Sequence, residues 1–213
     1  MKSFTATLKL SLALSLAVSA SLFASHASAQ EAPDALVMRV SQEVLTSSKT
    51  DKQLQSGNTQ RAQELVETKI LPSMNFQHMT ALATGRHWRD ASAAQQQQLT
   101  DEFRLLLVRT YSGALAKVKD QKFEIKPLRM DPADTDVEVK SLVLQPRGEP
   151  LQLTYRLEKT AGGWKIYDVN IMGAWLVETY KGNFSAEINK AGIDGLIKTL
   201  AEKNRRMAAP ANT

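Results

Sequence analysis

The chain changes its hydrophobic period once, near its middle. Up to about residue 118, apolar side chains return every three or four positions. After Pro33-Asp34, Leu36, Val37, Val40, Val44 and Leu45 fall on one helical face. Thr46–Gly57 is polar and ends in Gly57-Asn58, a break. Asn58 or Thr59 then caps a second predicted helix carrying Ala62, Leu65, Val66 and Ile70, which stops near Pro72. A short third helix holds Phe76, Met79, Ala81, Leu82 and Ala83 and ends at Gly85, ahead of the basic and aromatic turn Arg86-His87-Trp88-Arg89. Ser92 and Gln95 have the spacing of a capping box. They open the longest predicted helix, roughly 93–118, with Leu99, Phe103, Leu106, Leu107, Thr110, Ala114 and Val118 on one stripe, Leu105 and Val108 beside it and Tyr111 at its edge.

From Gln121 the period is two. Phe123, Ile125, Leu128 and Met130 mark a first strand. Val137, Val139, Ser141 and Val143 alternate with charged residues in a second, and Leu151, Leu153, Tyr155 and Leu157 alternate with polar ones in a third. Ala161-Gly162-Gly163 turns into a fourth, Trp164 to Met172. Strict alternation there puts Tyr167, Val169 and Ile171 on one face and Trp164 and Ile166 on the other. Four strands joined by short turns make an antiparallel meander. Ala174–Ile188 reads as a helix, Gly192 as its end and Ile193 to about Arg205 as a last helix; 207–213 reads as a frayed tail. The expected class is α+β, in one domain.

The first 29 residues change how the rest is read. Lys2 and Lys9 precede and flank an apolar run, Leu10 to Val18, and Ala27-Ser28-Ala29 has the small-residue form of a cleavage site. That is the pattern of a secretory signal peptide, too short to be a good membrane span. Removing it takes two lysines and no acid from a net charge of +5, leaving +3 on 184 residues. Such a charge does not suggest nucleic-acid binding. The chain has no cysteine, which excludes thiol nucleophiles, cysteine–zinc sites and iron–sulfur clusters. The product is expected to be exported and soluble.

Catalytic motifs are missing. There is no G-x-S-x-G elbow, H-E-x-x-H, Walker loop or G-x-G-x-x-G. His78 and His87 lack a metal spacing, and no metal or cofactor is expected. Asp168, mid-strand among apolar residues, is the one candidate general base; the alternative is a carboxylate paired with arginine or backbone N–H groups. Arg86, His87, Arg89, Arg104 and Arg109 are candidates to face an anion, or are simply solvated. Phe103, Leu107 and Tyr111 on the long helix are expected to face Leu153 and Tyr155, either as plain core or as the walls of a cavity.

Three stretches together resemble a known family. They are Met79-Thr80-x-Leu82-Ala83-x-Gly85-Arg86-His87-Trp88-Arg89, then Phe103-Arg104-x-Leu106 through Leu115, then Gly163-Trp164-Lys165-Ile166-Tyr167-Asp168-Val169-x-Ile171, followed by Leu176-Val177-x-x-Tyr180-x-x-x-Phe184. In order and spacing these are similar to the MlaC, or toluene-tolerance, family of periplasmic phospholipid-binding proteins. Met172 and Trp175 depart from it, standing where an acidic and a small polar residue are common.

The resemblance implies a curved four-stranded antiparallel sheet packed with N- and C-terminal helices, similar to NTF2-like or cystatin-like folds, enclosing an apolar cavity in one domain over 30–206. It implies a monomeric, non-enzymatic periplasmic shuttle for phospholipid. The implied partners are an outer-membrane lipoprotein–porin complex and an inner-membrane ABC transporter with an MCE-domain subunit, and the implied role is upkeep of outer-membrane lipid asymmetry. On this reading the lipid-binding residues are Phe103, Leu107, Tyr111, Val139, Leu153, Tyr155, Tyr167, Val169, Ile171 and Trp175. The competing expectations are a ligand-free periplasmic adaptor and an NTF2-like isomerase using Asp168.

Overall fold

A computed structural model describes residues 30–118 and 120–208. Residues 1–29, expected from sequence to be a signal peptide, residue 119 and the expected tail residues 209–213 lie outside the described residues. Helix α1 spans Pro33–Thr50, with proline at its first position, where the missing N–H costs nothing. Asp51 caps the short α2, Lys52–Gln55, and the Asn58 side chain caps α3, Thr59–Leu65, by accepting from the Arg61 N–H at 2.9 Å. The chain continues from α3 through a π-helical turn, Val66–Ile70, and a 3₁₀ turn, Leu71–Ser73. Asn75 caps α4, Phe76–Thr84, and a 3₁₀ turn, Gly85–Trp88, follows. The capping box forms as expected: the Gln95 N–H donates to Ser92 Oγ at 3.2 Å, and Gln95 Oε1 accepts the Ser92 N–H at 2.9 Å. Together they start α5, Ala93–Leu115.

Next come β1, Lys122–Ile125, β2, Asp136–Leu144, β3, Leu151–Thr160, and β4, Gly163–Ile171. β1 stops short of the expected Leu128 and Met130 because Pro127 cannot donate to the ladder. The sheet is antiparallel in the order β1-β2-β3-β4-β5, and so has five strands rather than four. The fifth, β5, is only Ala174–Trp175, where the sequence reads as helix. It is joined to β4 by Met172-Gly173, with φ angles of 51° and 94°. A two-residue hairpin with both φ values positive matches the twist of the strands. Met172 bears this conformation without the short polar side chain that normally eases it, and it is 76% exposed.

The last helix, α6, runs Leu176–Ala208 and turns sharply at Gly192 (φ 72°). Its first half lies against Phe103 through Tyr180 and Phe184, and its second half returns along α5. Met207 and Ala208 are helical where the sequence reads as tail.

Three apolar clusters hold the unit formed by Glu31 onward together. The largest joins α4, α5 and α6 around Met79, Phe103, Leu106 and Phe184. The second places Leu36, Val37 and Val40 of α1 on Val137, Val139, Leu157, Trp164 and Ile166 of the sheet. The third ties the end of α1 to α2, α3 and the end of α5. Met74 touches the first two clusters and Ile70 the last two.

Candidate functional site

The strand register sorts every sheet residue onto a face. Val139, Tyr155 and Val169 are partners across β2, β3 and β4; so are Ser141, Leu153 and Ile171, with Ile125 of β1 completing that row. Phe123, Val143 and Leu151 form the next row, and Val137, Leu157 and Ile166 the row at the other end. These four rows make the inner face, the one that α1 packs on. They contain no charged residue.

Cover is lost along the strands. The Val137–Leu157–Ile166 row is fully buried. In the next row Val139 is buried, at 0% exposure, while Tyr155 and Val169 are half-buried. Beyond it, Leu153, Ile171, Val143 and Leu151 are likewise half-buried, but they belong to none of the three clusters. The part of this apolar wall that stays in contact with water beside the packed core costs roughly 25 cal/mol per Å², which a ligand covering it would recover. The wall accepts aliphatic groups and offers nothing to a charge.

The sequence-predicted lining residues divide accordingly. Leu153, Tyr155, Val169 and Ile171 come together on the inner face, with Val139 sealed beneath α1. Tyr167 does not join them. The register slips between Arg156 and Leu157, so that Arg156 pairs Asp168 and Leu157 pairs Ile166; Tyr167 is the extra residue of a β-bulge. Past the bulge the phase inverts, and Trp164 and Ile166 share the face of Val169 and Ile171, contrary to strict alternation. Tyr167 sits with the polar residues of the outer face, where its hydroxyl donates to Asp136 Oδ2 at 2.7 Å and its ring stacks on His78 at 4.5 Å. Burial and the Asp136 carboxylate both push its phenol well above the usual range.

Trp175 is also on the outer face, partnered with Asn170, and the Arg156 guanidinium lies 3.7 Å over its ring. Phe103 and Leu107 are buried in the helical cluster instead of facing Leu153 and Tyr155. Phe103 makes edge-on contacts at 5.0 Å with both Tyr180 and Phe184. Tyr111 is at the margin of that cluster, near the Tyr180 hydroxyl, whose pKa burial pushes up to about 12. Val143 and Leu151 were missing from the expected lining, although their alternation is in phase with Leu153.

Asp168 occupies the outer face beside the start of α6. Its Oδ1 accepts the N–H groups of Val169 at 2.9 Å and Val177 at 3.1 Å, and its Oδ2 is 3.8 Å from Arg156. It anchors a helix N-terminus on the face opposite the apolar rows. The arginines do not assemble either. Arg109 donates to the Asn204 carbonyl, Arg104 pairs with Asp101 at 3.5 Å, and Arg86 and Arg89 are exposed on the 3₁₀ turn. His78 Nδ1 is 3.0 Å from Glu158 Oε1.

A groove of about 550 Å³ also lies between the π turn and α5, lined by Glu67, Asp101, Glu102 and Arg104 over Leu105 and Val108. Its charged rim suits alkyl chains poorly, since charges brought against hydrocarbon lose their hydration.

The profile of the MlaC protein family matches residues 38–202. The chain is 46% identical to the phospholipid-binding protein from Ralstonia solanacearum, solved in complex with a phospholipid, with a TM-score of 0.77 over 83% of this chain and 98% of that one. It is 22% identical to the intermembrane phospholipid transport system binding protein MlaC of Haemophilus influenzae, covering 89% of this chain and 90% of that protein. It is 23% identical to the Toluene tolerance protein ttg2D of Pseudomonas putida, covering 81% and 80%. With the family profile spanning most of its length and an uncharged, half-covered sheet face of the kind an alkyl chain fits, the chain belongs to the MlaC protein family.

Proposed function

We propose that this protein is a phospholipid-binding transport protein that carries single lipids through water on the open end of its inner sheet face. One observation carries the reading: Leu153, Ile171, Val143 and Leu151 form a contiguous apolar wall outside every packed cluster, with no charged residue in its rows. The phospholipid bound by the Ralstonia solanacearum relative supports it.

A two-chain phospholipid has on the order of 30 methylenes, and at ~0.8 kcal/mol each, wetting both chains costs on the order of 20 kcal/mol or more. Free diffusion of lipid monomers is therefore negligible, and a carrier has only to match the bilayer closely enough to load and unload. Such a passive binder does not set a direction; its partners do, through their different affinities for loaded and empty protein. The compartment is the periplasm, supported by the signal-peptide pattern of residues 1–29. The partners are an outer-membrane lipoprotein–porin complex on one side and an inner-membrane ABC transporter with an MCE-domain subunit on the other. The work is upkeep of outer-membrane lipid asymmetry. Among the described residues no helix is long and apolar enough to cross a membrane. The wall binds lipid without chemistry on it, since it has no acid or base.

The test is transfer of a fluorescent phospholipid between two vesicle populations. Catalytic amounts of the protein should accelerate exchange in proportion to their concentration. Exchange at the protein-free rate would refute the carrier.

A further inference from the structure

Two breaks in otherwise apolar patterns meet inside the protein. On β2, Ser141 interrupts the inner-face series Val137, Val139, Val143, and in its row it stands between Ile125 and Leu153. It is 2% exposed, and the only group its hydroxyl can reach among the described residues is the Tyr155 hydroxyl, at less than ideal hydrogen-bond geometry. On α1, Ser41 lies one turn after Val37 and one residue after Val40, within the stripe that packs on this face. Between the two stands Tyr155, whose hydroxyl neighbours both Ser41 and Ser141. Tyr155 also neighbours Leu153 and Val169, at the boundary between the sealed rows and the open wall. Three hydroxyls that meet on an otherwise apolar, uncharged sheet face have only one another as partners and keep unused hydrogen-bonding capacity, where plain core would use valine and phenylalanine.

We infer that Ser41, Tyr155 and Ser141 form a polar subsite that donates hydrogen bonds to a neutral acceptor of the bound lipid, the ester carbonyls joining its chains to glycerol. The inference rests on the carrier reading and names the part of the lipid this position takes. The acceptor is neutral because the four inner-face rows hold no lysine or arginine to balance a phosphate or carboxylate. It accepts because burial keeps the Tyr155 phenol protonated, its pKa pushed up to about 12. It lies next to hydrocarbon because every other member of those rows is apolar. In a diacyl lipid the ester carbonyl alone meets all three conditions. The subsite would fix the depth of the lipid while leaving the headgroup unread, which fits tolerance of different headgroups.

The test is a choice between two lipids. Purified protein is incubated with excess vesicles of equimolar diacyl and dialkyl-ether phosphatidylethanolamine of equal chain length, re-isolated, and its lipid quantified by mass spectrometry. The ether lipid lacks the carbonyls and is otherwise nearly isosteric. The expected result is enrichment of the diacyl form by roughly three- to tenfold, the worth of one or two hydrogen bonds. Tyr155→Phe and Ser141→Ala should bring the ratio close to one, and Ser141→Thr, which keeps a hydroxyl, should preserve it. Circular dichroism checks that the variants are folded. Equal uptake of both lipids by the wild type, as a buried water among the hydroxyls would give, overturns the subsite and leaves the carrier standing. So does enrichment that survives Tyr155→Phe and Ser141→Ala. Uptake of neither lipid overturns the carrier reading and the subsite with it.

Discussion

The Asp168 carboxylate accepts the backbone N–H of Val177 at 3.1 Å, fastening the first turn of α6 to the bulged strand β4. The contact is buried, and the carboxylate lies at the positive end of the helix. Asp168→Ala should cost about 2 kcal/mol, because the buried Val177 N–H and the half-buried Val169 N–H lose their acceptor. Asp168→Asn keeps an acceptor oxygen and should fold and load lipid as the wild type does. Burial raises the pKa of Asp168 above its ordinary 3.8, against the lowering by the Val177 and Val169 N–H groups and Arg156. The folded state thus holds this proton more tightly than the unfolded chain. Its stability contribution is full below the unfolded pKa and is lost as pH rises through the folded value. Thermal melts from pH 7 down toward pH 4 should show the wild type gaining on Asp168→Asn. Parallel curves would show that burial is not the controlling influence.

Leu153 and Ile171 are cross-strand partners on the apolar wall outside the packed clusters, and both are half-buried. Leu153→Glu should leave the protein folded, at some cost in stability, while abolishing lipid co-purification, since a carboxylate set among alkyl chains loses its hydration. Val139→Ala, at a sealed position, should do the reverse, costing about 2 kcal/mol and leaving loading intact. Melting temperature and extracted lipid, measured on both variants, separate wall from core; matched losses in both would merge the two roles.

Tyr167→Phe removes the 2.7 Å hydrogen bond to Asp136, and Trp175→Ala removes the platform under Arg156. Both residues are on the outer face. Each change should cost about 1 kcal/mol and leave the lipid content of the purified protein unaltered. Loss of lipid from either would put the binding surface on the wrong side of the sheet.

Phe103→Ala should behave as a core deletion. It empties a fully buried site and breaks two edge-on ring contacts, at about 3–5 kcal/mol. Phe103→Leu, which fills most of the volume, should restore stability and load lipid normally. A stable Phe103→Leu protein without lipid would return Phe103 to the binding surface.

The elements were legible where their signals were local. The Ser92–Gln95 box, the Asn58 cap and the turn at Gly192 all act within a few residues and appear where the sequence puts them. The α+β class and the pairing of β2 with β3 followed from clean alternation. Three features were not legible. Period-two counting assumes an unbroken ladder, so the bulge at Tyr167 reversed the faces of half of β4. β5 has two residues, too few to show any period. An amphipathic stripe shows that α5 buries Phe103 and Leu107 but not what buries them; α6, far along the chain, competes with the sheet and wins. The family likeness was visible in short stretches of sequence, whereas the lining depends on which side of a sheet a side chain leaves, and one inserted residue changes that.

Native mass spectrometry of protein purified from a bacterial periplasm without detergent reads lipid carriage from the mass of the chain itself. A lipid carrier should show a mass shift equal to about one phospholipid per chain, identified as diacyl by extraction and lost in Leu153→Glu. A protein of bare polypeptide mass that stays lipid-free after incubation with vesicles would contradict it.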